Sequence, residues 1–351
     1  MHGIAVIPGD GIGKEVIPVG MRVIDAAAEK FGVKLSWNLL PWGCEFYLEK
    51  GFMMPADGLA LLRQYDAIYL GAVGAPGVAD DVSLWGLLIP IRRTFRQYVN
   101  LRPVRLLQGM TSPLRSVQPG DIDLCVVREN NEGEYSNVGG RMYEGTEQEM
   151  AVQQAVFTRK GVERIVSFAF GLAEKRRKHV TSATKSNGII FTMPFWDEVF
   201  WSVARDYPGV QADQYHIDNL CAQFVLHPER FDVVVGSNLL GDILSDLAPA
   251  VAGSLGIAPS ANLNPEHDFP SMFEPVHGSA PDIAGKGIAN PVGAIWSGAM
   301  MLDHLGYRDA AHAVVAAIEV VIGDGISTPD LGGSATTVEV GEAVIAALRA
   351  E

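Results

Sequence analysis

Short, largely apolar runs separated by segments of helical length constrain the fold of this chain more than any other feature. Four such runs, at residues 3–8, 66–70, 122–127 and 231–235, are typical of buried parallel strands. The first run leads through a glycine-rich turn into a helical pattern over about 14–30. Strands that alternate with helices in this way predict an α/β fold.

Length and composition indicate a large, folded and soluble chain. A length of 351 residues predicts about two domains, because a single core rarely grows beyond roughly 250–300 residues. Apolar residues make up 48% of the chain and charged residues 19%, which provides ample core. The net charge of −14 argues against a nucleic-acid or anionic-membrane surface, although a local group of cations could still bind an anionic substrate.

The cysteines and the N-terminal sequence favour the cytoplasm. Cys44, Cys125 and Cys221 lack the spacing of a metal site, and their odd number does not fit a disulfide framework. We see no signal-peptide pattern at the start of the chain. No apolar run reaches the roughly 20 residues that span a bilayer. The middle of the chain, about 133–160, reads as exposed antiparallel arms suited to pairing between subunits.

The glycine cluster at 9–13 follows a strand and opens a helix, as in a Rossmann fold. Its spacing is G-x-G-x-G rather than G-x-G-x-x-G, and no strand ends in an acidic residue about 20 residues later. We therefore do not predict a Rossmann fold. The cluster is better interpreted as a tight turn between strand and helix beside a cofactor site.

Carboxylates at one helical spacing form a candidate metal site. Asp242 and Asp246 are four residues apart, so in the first turn of a helix they would share one face. Asp218, at a strand-to-helix junction, offers a third carboxylate, and such oxygen ligands suit Mg²⁺ or Mn²⁺. On spacing alone, solvated acids at a helix N-terminus are the favoured alternative.

Cationic and acid–base candidates lie in three further motifs. Arginine binds carboxylates bidentately and stays charged, and Arg92, Arg102 and Arg128 are candidates for that role. Arg93 and Arg96 read as solvated. A single Tyr or Lys, such as Tyr135 or Lys185, is usually structural.

The segment 274–291 combines an acid, an imidazole, a hydroxyl and three glycines. On composition alone, a surface loop would describe it equally well.

The order of residues in 274–291, with Leu-Arg-Pro at 101–103 and Arg-Glu-Asn at 128–130, resembles the metal-dependent β-decarboxylating hydroxyacid dehydrogenases. That family contains isocitrate, isopropylmalate, tartrate and D-malate dehydrogenases, and the resemblance covers essentially the whole chain. It implies an isopropylmalate-dehydrogenase-like fold of two domains with a mixed twisted sheet flanked by helices. The first domain would comprise 1–98 and 250–351, and the second 99–249 with dimer-forming helices and the arm.

The resemblance also implies roles for the candidate residues. Asp218, Asp242 and Asp246 would bind Mg²⁺ or Mn²⁺, and Arg92, Arg102 and Arg128 would clamp the carboxylate of a malate-like dicarboxylate. Lys185 would be the base and Tyr135 the acid, because a lysine beside a cation loses its proton more easily. Lys185 and Asp218 would come from the neighbouring subunit of a homodimer, and a monovalent cation such as K⁺ is a further candidate cofactor.

For the cofactor, the resemblance implies NAD. The Asp282 carboxylate would accept hydrogen bonds from the ribose diol and repel a 2′-phosphate, and NADP-dependent members typically carry Lys and Tyr where this chain has Asp282 and Ile283. Asn187 would contact the nicotinamide amide. The remaining cofactor-binding residues implied by the resemblance are Ile12, Glu274, His277, Gly278, Ser279, Ala280 and Asn290.

The expected reaction is the oxidation of a 2-hydroxy acid by NAD⁺, followed by loss of CO₂ and protonation of the resulting enolate by Tyr135. The segment before Arg92, together with 42–47 and 54–58, looks like the tartrate and D-malate dehydrogenase branch. The bulky Trp85 would leave little room for an isopropyl group. A pocket discriminates a methylene by only about 1–3 kcal/mol, so activity on β-alkyl malates could persist.

Two alternatives remain. A 3-isopropylmalate dehydrogenase is disfavoured because the Leu pair expected before Arg92 is missing. A non-catalytic regulatory subunit is disfavoured because the metal ligands and both acid–base residues are present.

Overall fold

The computed structural model describes residues 1–115 and 117–350. Contacts divide the chain into a first unit, Met1–Gln97, Arg102–Ile122 and Pro249–Glu351, and a second unit, Tyr98–Leu101 and Asp123–Ala248. The segment 102–122 therefore belongs to the first unit, whereas the sequence assigned it to the second domain. Its contacts explain this: Ser112 Oγ donates to the Val251 carbonyl at 2.7 Å, and Arg105 pairs with Glu319 at 2.7 Å.

Strands and helices alternate along most of the chain, as predicted. The strands are β1 His2–Gly9, β2 Leu35–Leu39, β3 Ala67–Ala72, β4 Val99–Arg105, β5 Asp123–Glu129, β6 Gly139–Met142, β7 Met150–Gln153, β8 His179–Thr184, β9 Gln211–His216, β10 Val233–Gly236, β11 Pro259–Leu263 and β12 Ser271–Pro275. The helices are α1 Gly13–Phe31, α2 Cys44–Lys50, α3 Gly58–Leu62, α4 Asp80–Ser83, α5 Ile89–Thr94, α6 Arg159–Glu174, α7 Thr192–Ala204, α8 Ile217–Leu226, α9 Asn238–Val251, α10 Val292–His304, α11 Arg308–Gly323 and α12 Thr337–Ala350. A π-helical turn, Leu84–Leu88, joins α4 to α5.

In the first unit the strand order is β2-β1-β3-β12-β11, and every neighbouring pair is parallel except β11 with β12. Helices α1, α10, α11 and α12 pack against one another beside these strands. All six residues of β3 are buried, as its apolar sequence requires. The α/β prediction is therefore confirmed, and the sheet is mixed and mainly parallel.

In the second unit the order is β5-β10-β8-β9, and these strands are all parallel. Helix α6 packs on β5, β10 and β8, and α7 packs on β8. The predicted arm is an antiparallel pair of β6 and β7 in which Gly139 faces Gln153 and Met142 faces Met150. Every residue of this pair is exposed.

No helix within 1–115 and 117–350 combines the length and the apolar character needed to cross a membrane.

Candidate active site

The glycine cluster after β1 forms the predicted tight turn in the first unit. Gly11 has φ of +52°, and a Cβ atom there would lie 2.0 Å from the Ser279 carbonyl oxygen, so a side chain would force the two backbones apart. The amide of Ile12 donates to that same oxygen at 2.9 Å. The turn therefore holds the segment that carries most of the predicted cofactor residues.

Helix α1 fixes the far side of that segment. The Glu15 carboxylate accepts hydrogen bonds from the amides of Gly285 and Gly287, at 2.6 and 2.9 Å. Thr337 donates its hydroxyl to the Ala289 carbonyl at 2.6 Å. The segment is thus an ordered loop with several anchors, rather than a free surface connection.

A cavity of about 340 Å³ lies beside this loop, and its lining is mainly apolar. The lining residues are Ile12, Ser254, Leu255, Gly256, His277, Ala280, Ile283, Ile288, Asn290, Pro329 and Asp330. The Asn290 amide is fixed because Oδ1 accepts from the Val292 amide and Nδ2 donates to Asp330, both at 3.0 Å. Asp282 is exposed, at the turn that begins with Ala280 (φ +40°). An apolar slot with a few fixed polar groups suits an aromatic base.

A smaller cavity of about 150 Å³ in the first unit is lined by Arg92 and Arg102, two of the arginines predicted to bind the substrate carboxylate. Leu88, Val73, Glu274 and His277 also line it. Arg92 Nη2 donates to the buried Glu274 carboxylate at 2.8 Å. Burial lowers the pKa of His277. Gly278 and Ser279 follow it in the chain, and Ser279 is buried.

Trp85 does not line that cavity, and instead its ring lies 4.9 Å from the guanidinium carbon of Arg93. The π-helical turn explains this contact. The π-helical turn holds about one residue more than an α-helical turn, so Trp85 and Arg93, which are eight residues apart, share one face. In a regular α-helix, Trp85 would share its face with Arg92, seven residues further on.

The second unit gathers Arg128, Tyr135 and Asp242. Arg128 Nη1 donates to one oxygen of Asp242, and the Tyr135 hydroxyl donates to the other at 2.7 Å. Burial and this hydrogen bond to Asp242 raise the pKa of Tyr135, so its hydroxyl keeps its proton at neutral pH. The phenol is therefore equipped to donate a proton.

Close packing of α9 on β5 makes this cluster possible. A Cβ atom at Gly241 would lie 2.7 Å from Arg128 Cβ, so a side chain there would displace the arginine. Arg128 also donates Nε and Nη2 to Asn238 Oδ1, at 3.1 and 2.7 Å. Asn238 and Gly241 lie in the motif of the predicted metal ligands, although neither had a predicted role.

Lys185 and Asp218 form a second pair in this unit. Lys185 Nζ donates to Asp218 Oδ1 at 2.8 Å, and this hydrogen bond lowers the pKa of Asp218. Asn187 lies two residues beyond Lys185 in an exposed turn after β8. The side chain of Asp218 is 68% exposed, so the pair is open to a ligand or to another chain.

The three predicted metal ligands do not come together within one chain. Among the residues that the structure describes, no group of three or more His, Cys, Asp or Glu side chains is arranged to hold a metal. Asp242 and Asp246 share α9 at the predicted spacing, but the helix begins at Asn238 and places them in its second and third turns. The first-turn placement was wrong, and the alternative of acids at a helix N-terminus loses its basis.

Comparison with known proteins gives one consistent result. The family model described as isocitrate/isopropylmalate dehydrogenase matches residues 3–344. The chain is 60% identical over 349 residues to a D-malate dehydrogenase [decarboxylating] of Escherichia coli (strain K12), with 97% of each chain covered. It is 59% identical over 350 residues to a tartrate dehydrogenase/decarboxylase of Pseudomonas putida, covering 97% of this chain and 96% of that one.

Among solved structures, an isocitrate dehydrogenase from Methylococcus capsulatus superposes with a TM-score of 0.90 at 36% identity. That match covers 99% of this chain and 100% of the other.

Proposed function

This chain belongs to the isocitrate/isopropylmalate dehydrogenase family, and from that premise we propose that it oxidises and decarboxylates a small malate-like 2-hydroxy acid with NAD⁺. D-malate and tartrate are the proposed substrates. The observation that carries the proposal is the contact of one carboxylate, Asp242, with both a buried arginine and a tyrosine of raised pKa.

The donor set fits a divalent cation in part within one chain. Asp242 and Asp246 are hard oxygen ligands on one helix, and because Asp242 is partly exposed and Asp246 exposed, there is room for further ligands. Mg²⁺ or Mn²⁺ held by these two residues and by Asp218 of the partner subunit would act as a Lewis acid toward the substrate's oxygens. A monovalent cation such as K⁺ is part of the proposal without a site assigned to it.

The chain's own residues perform the proton transfers. Lys185 takes the proton of the C2 hydroxyl while the C2 hydride passes to NAD⁺, which leaves a 2-keto acid with a carboxylate β to its carbonyl. The C–C bond to that carboxylate breaks, CO₂ leaves, and its bonding electrons stay on C3. Tyr135 protonates C3 to give the keto product. Arg92, Arg102 and Arg128 bind the substrate's carboxylates. Trp85, whose ring contacts Arg93 rather than lining the cavity of Arg92 and Arg102, is proposed to limit the group at C3 from the turn before Arg92.

The cofactor is proposed to bind in the first unit. The adenine would enter the apolar cavity lined by Ile12, His277, Ala280 and Asn290, beside the backbone of Gly278 and Ser279. Asp282 would accept from the ribose diol and Asn187 would contact the nicotinamide amide. Glu274 completes the proposed cofactor set.

A homodimer is proposed because the second unit exposes large apolar side chains. Ile190, Phe191 and Leu226 are 67%, 82% and 64% exposed, and Met142 and Val152 of the arm are about half exposed. Exposed apolar groups in this number indicate an interface. The reducing compartment proposed for the chain is the cytoplasm, since its three cysteines are free thiols.

A direct test measures the rate of NADH formation and, separately, the affinity for Mn²⁺ in the wild type and in Asp242→Asn. We expect Asp242→Asn to retain its circular dichroism spectrum and to lose turnover and tight Mn²⁺ binding, because a neutral amide is a poorer ligand. Metal-dependent turnover at wild-type rate in this variant would contradict the proposal.

A further inference from the structure

The loop that carries Tyr135 is attached to the start of α9 by a carboxylate with no role so far. Glu134 Oε1 accepts from the Ser237 hydroxyl at 2.8 Å, and Oε2 accepts from the Leu239 amide at 3.0 Å. Leu239 is the second residue of α9 and Ser237 directly precedes the helix. Both carboxylate oxygens of Glu134 therefore hold the end of the helix that carries Asp242.

The side chains that would normally cap this helix are engaged elsewhere. The Ser237 hydroxyl donates its proton to Glu134, and its oxygen accepts only a long hydrogen bond, of 3.4 Å, from the Leu240 amide. Asn238 accepts from Arg128 and donates to the Glu132 carbonyl at 3.2 Å. The loop thus supplies the acceptors for the helix, and the helix in turn fixes the loop.

We infer that Glu134 is a positioning residue for Tyr135, acting through its bidentate attachment to Ser237 and Leu239. Tyr135 lies on the loop and Asp242 lies on α9, and these two segments are in contact. Glu134 precedes Tyr135 in the chain and binds the start of the helix that carries Asp242. This inference rests on the proposed function, in which Tyr135 protonates C3 after CO₂ has left.

The same loop provides a matched control. Glu132 also accepts from a backbone amide and a hydroxyl, those of Thr158, at 2.9 and 2.8 Å. Thr158 caps α6, which carries none of the proposed acid–base or metal residues. Glu132→Gln and Glu134→Gln therefore make the same chemical change two residues apart, and only the second affects the attachment to α9.

The experiment measures steady-state rates with C2-deuterated substrate and in D₂O, using the full chain with Mn²⁺ and NAD⁺. If Tyr135 shifts, protonation at C3 becomes slower while hydride transfer is untouched. In Glu134→Gln we expect kcat to fall on the order of 10- to 100-fold, the substrate deuterium effect to shrink, the solvent isotope effect to grow, and the KM for NAD⁺ to stay constant. Glu132→Gln should leave both isotope effects as in the wild type.

Ser237→Ala removes one of the two groups that donate to Glu134. It should shrink the substrate deuterium effect and enlarge the solvent isotope effect, as Glu134→Gln does. It decides the question alone if Glu134→Gln does not fold. The inference is overturned if Glu134→Gln only lowers the melting temperature with unchanged isotope effects, or if Glu132→Gln reproduces its kinetics. A wild type with no turnover on any malate-like acid would instead count against the proposed function, so the two failures are distinguishable.

Discussion

At the scale of single residues, Asp242 is the carboxylate that contacts two other candidate residues of the second unit, Arg128 and Tyr135. Its two oxygens bind an arginine and a tyrosine, and the arginine is itself held by Asn238. A metal ion at Asp242 would have to share this carboxylate with both donors. One side chain therefore joins the proposed metal ligand, the proposed clamp arginine and the proposed proton donor.

Asp282 is expected to determine the choice between the two nicotinamide cofactors. Asp282→Lys removes the repulsion of a 2′-phosphate and offers it a cation, so the ratio of kcat/KM for NADP⁺ to that for NAD⁺ should rise by about 100-fold. The same change at Asp268, which is also exposed but lies outside the loop, is the control. Equal use of both cofactors by the wild type would refute the role of Asp282.

Glu129 gives the stability of the chain a pH dependence. Burial raises the pKa of Glu129 from its ordinary 4.5 to about 7, although Arg164 and two backbone amides oppose the shift. The folded state then holds a proton more tightly than the unfolded state. The free energy of unfolding should therefore fall as the pH rises from 4.5 to about 7.

We expect the free energy of unfolding of the wild type, relative to Glu129→Gln, to decrease by on the order of 2–3 kcal/mol between about pH 5 and pH 8. Urea unfolding at several pH values measures it. A difference that stays constant with pH would show that the Glu129 carboxyl is ionised throughout.

At the scale of secondary-structure elements, α1 connects the start of the chain to the proposed cofactor loop. Glu15 accepts from two amides of that loop, 270 and 272 residues further along the chain. No sequence pattern marked it, because an acidic residue in the first turn of a helix is common. The glycines at 9–13 did predict the turn, because glycine readily adopts the positive φ angles that Gly9 (+70°) and Gly11 (+52°) have here.

Glu15→Gln replaces one of the two acceptor oxygens with a donor and should loosen the loop. Losing a charged hydrogen bond of this kind costs about 1.5–3 kcal/mol, so the KM for NAD⁺ should rise at least about tenfold while the KM for the hydroxy acid stays constant. Glu29→Gln, on the exposed face of the same helix, should change neither value. An unchanged KM for NAD⁺ in Glu15→Gln would place the cofactor elsewhere.

At the scale of the whole molecule, the sequence predicted the α/β class because the apolar runs of β1, β3, β5 and β10 are typical of buried parallel strands and alternate with segments of helical length. It did not predict that 102–122 belongs to the first unit, because that segment's contacts are made with residues far away in the chain. The resemblance to the family assigned roles to Asp242 and Tyr135, whereas spacing alone favoured solvated acids for the first and a structural role for the second. Asn238 and Glu134 were missed, because their importance lies in partners that only the folded backbone brings near.

The shared site can be tested by mixing inactive variants. In a homodimer whose sites combine Asp242 of one chain with Lys185 of the partner subunit, Lys185→Ala and Asp242→Asn should complement each other. Random mixing would restore about one quarter of wild-type activity, since half the dimers are mixed and one of their two sites is intact. Lys185→Ala mixed with Asp218→Asn should restore none, because those changes fall on the same side of the site.

The most direct test of the central claim compares kcat/KM for D-malate, (+)-tartrate, 3-isopropylmalate and isocitrate, with NAD⁺ and Mn²⁺, by absorbance at 340 nm. The proposed function predicts a preference for D-malate or tartrate. A preference for 3-isopropylmalate would keep the reaction but contradict the proposed substrate and the role of Trp85. No turnover with any of the four would contradict the claim that this chain is a decarboxylating dehydrogenase of malate-like acids.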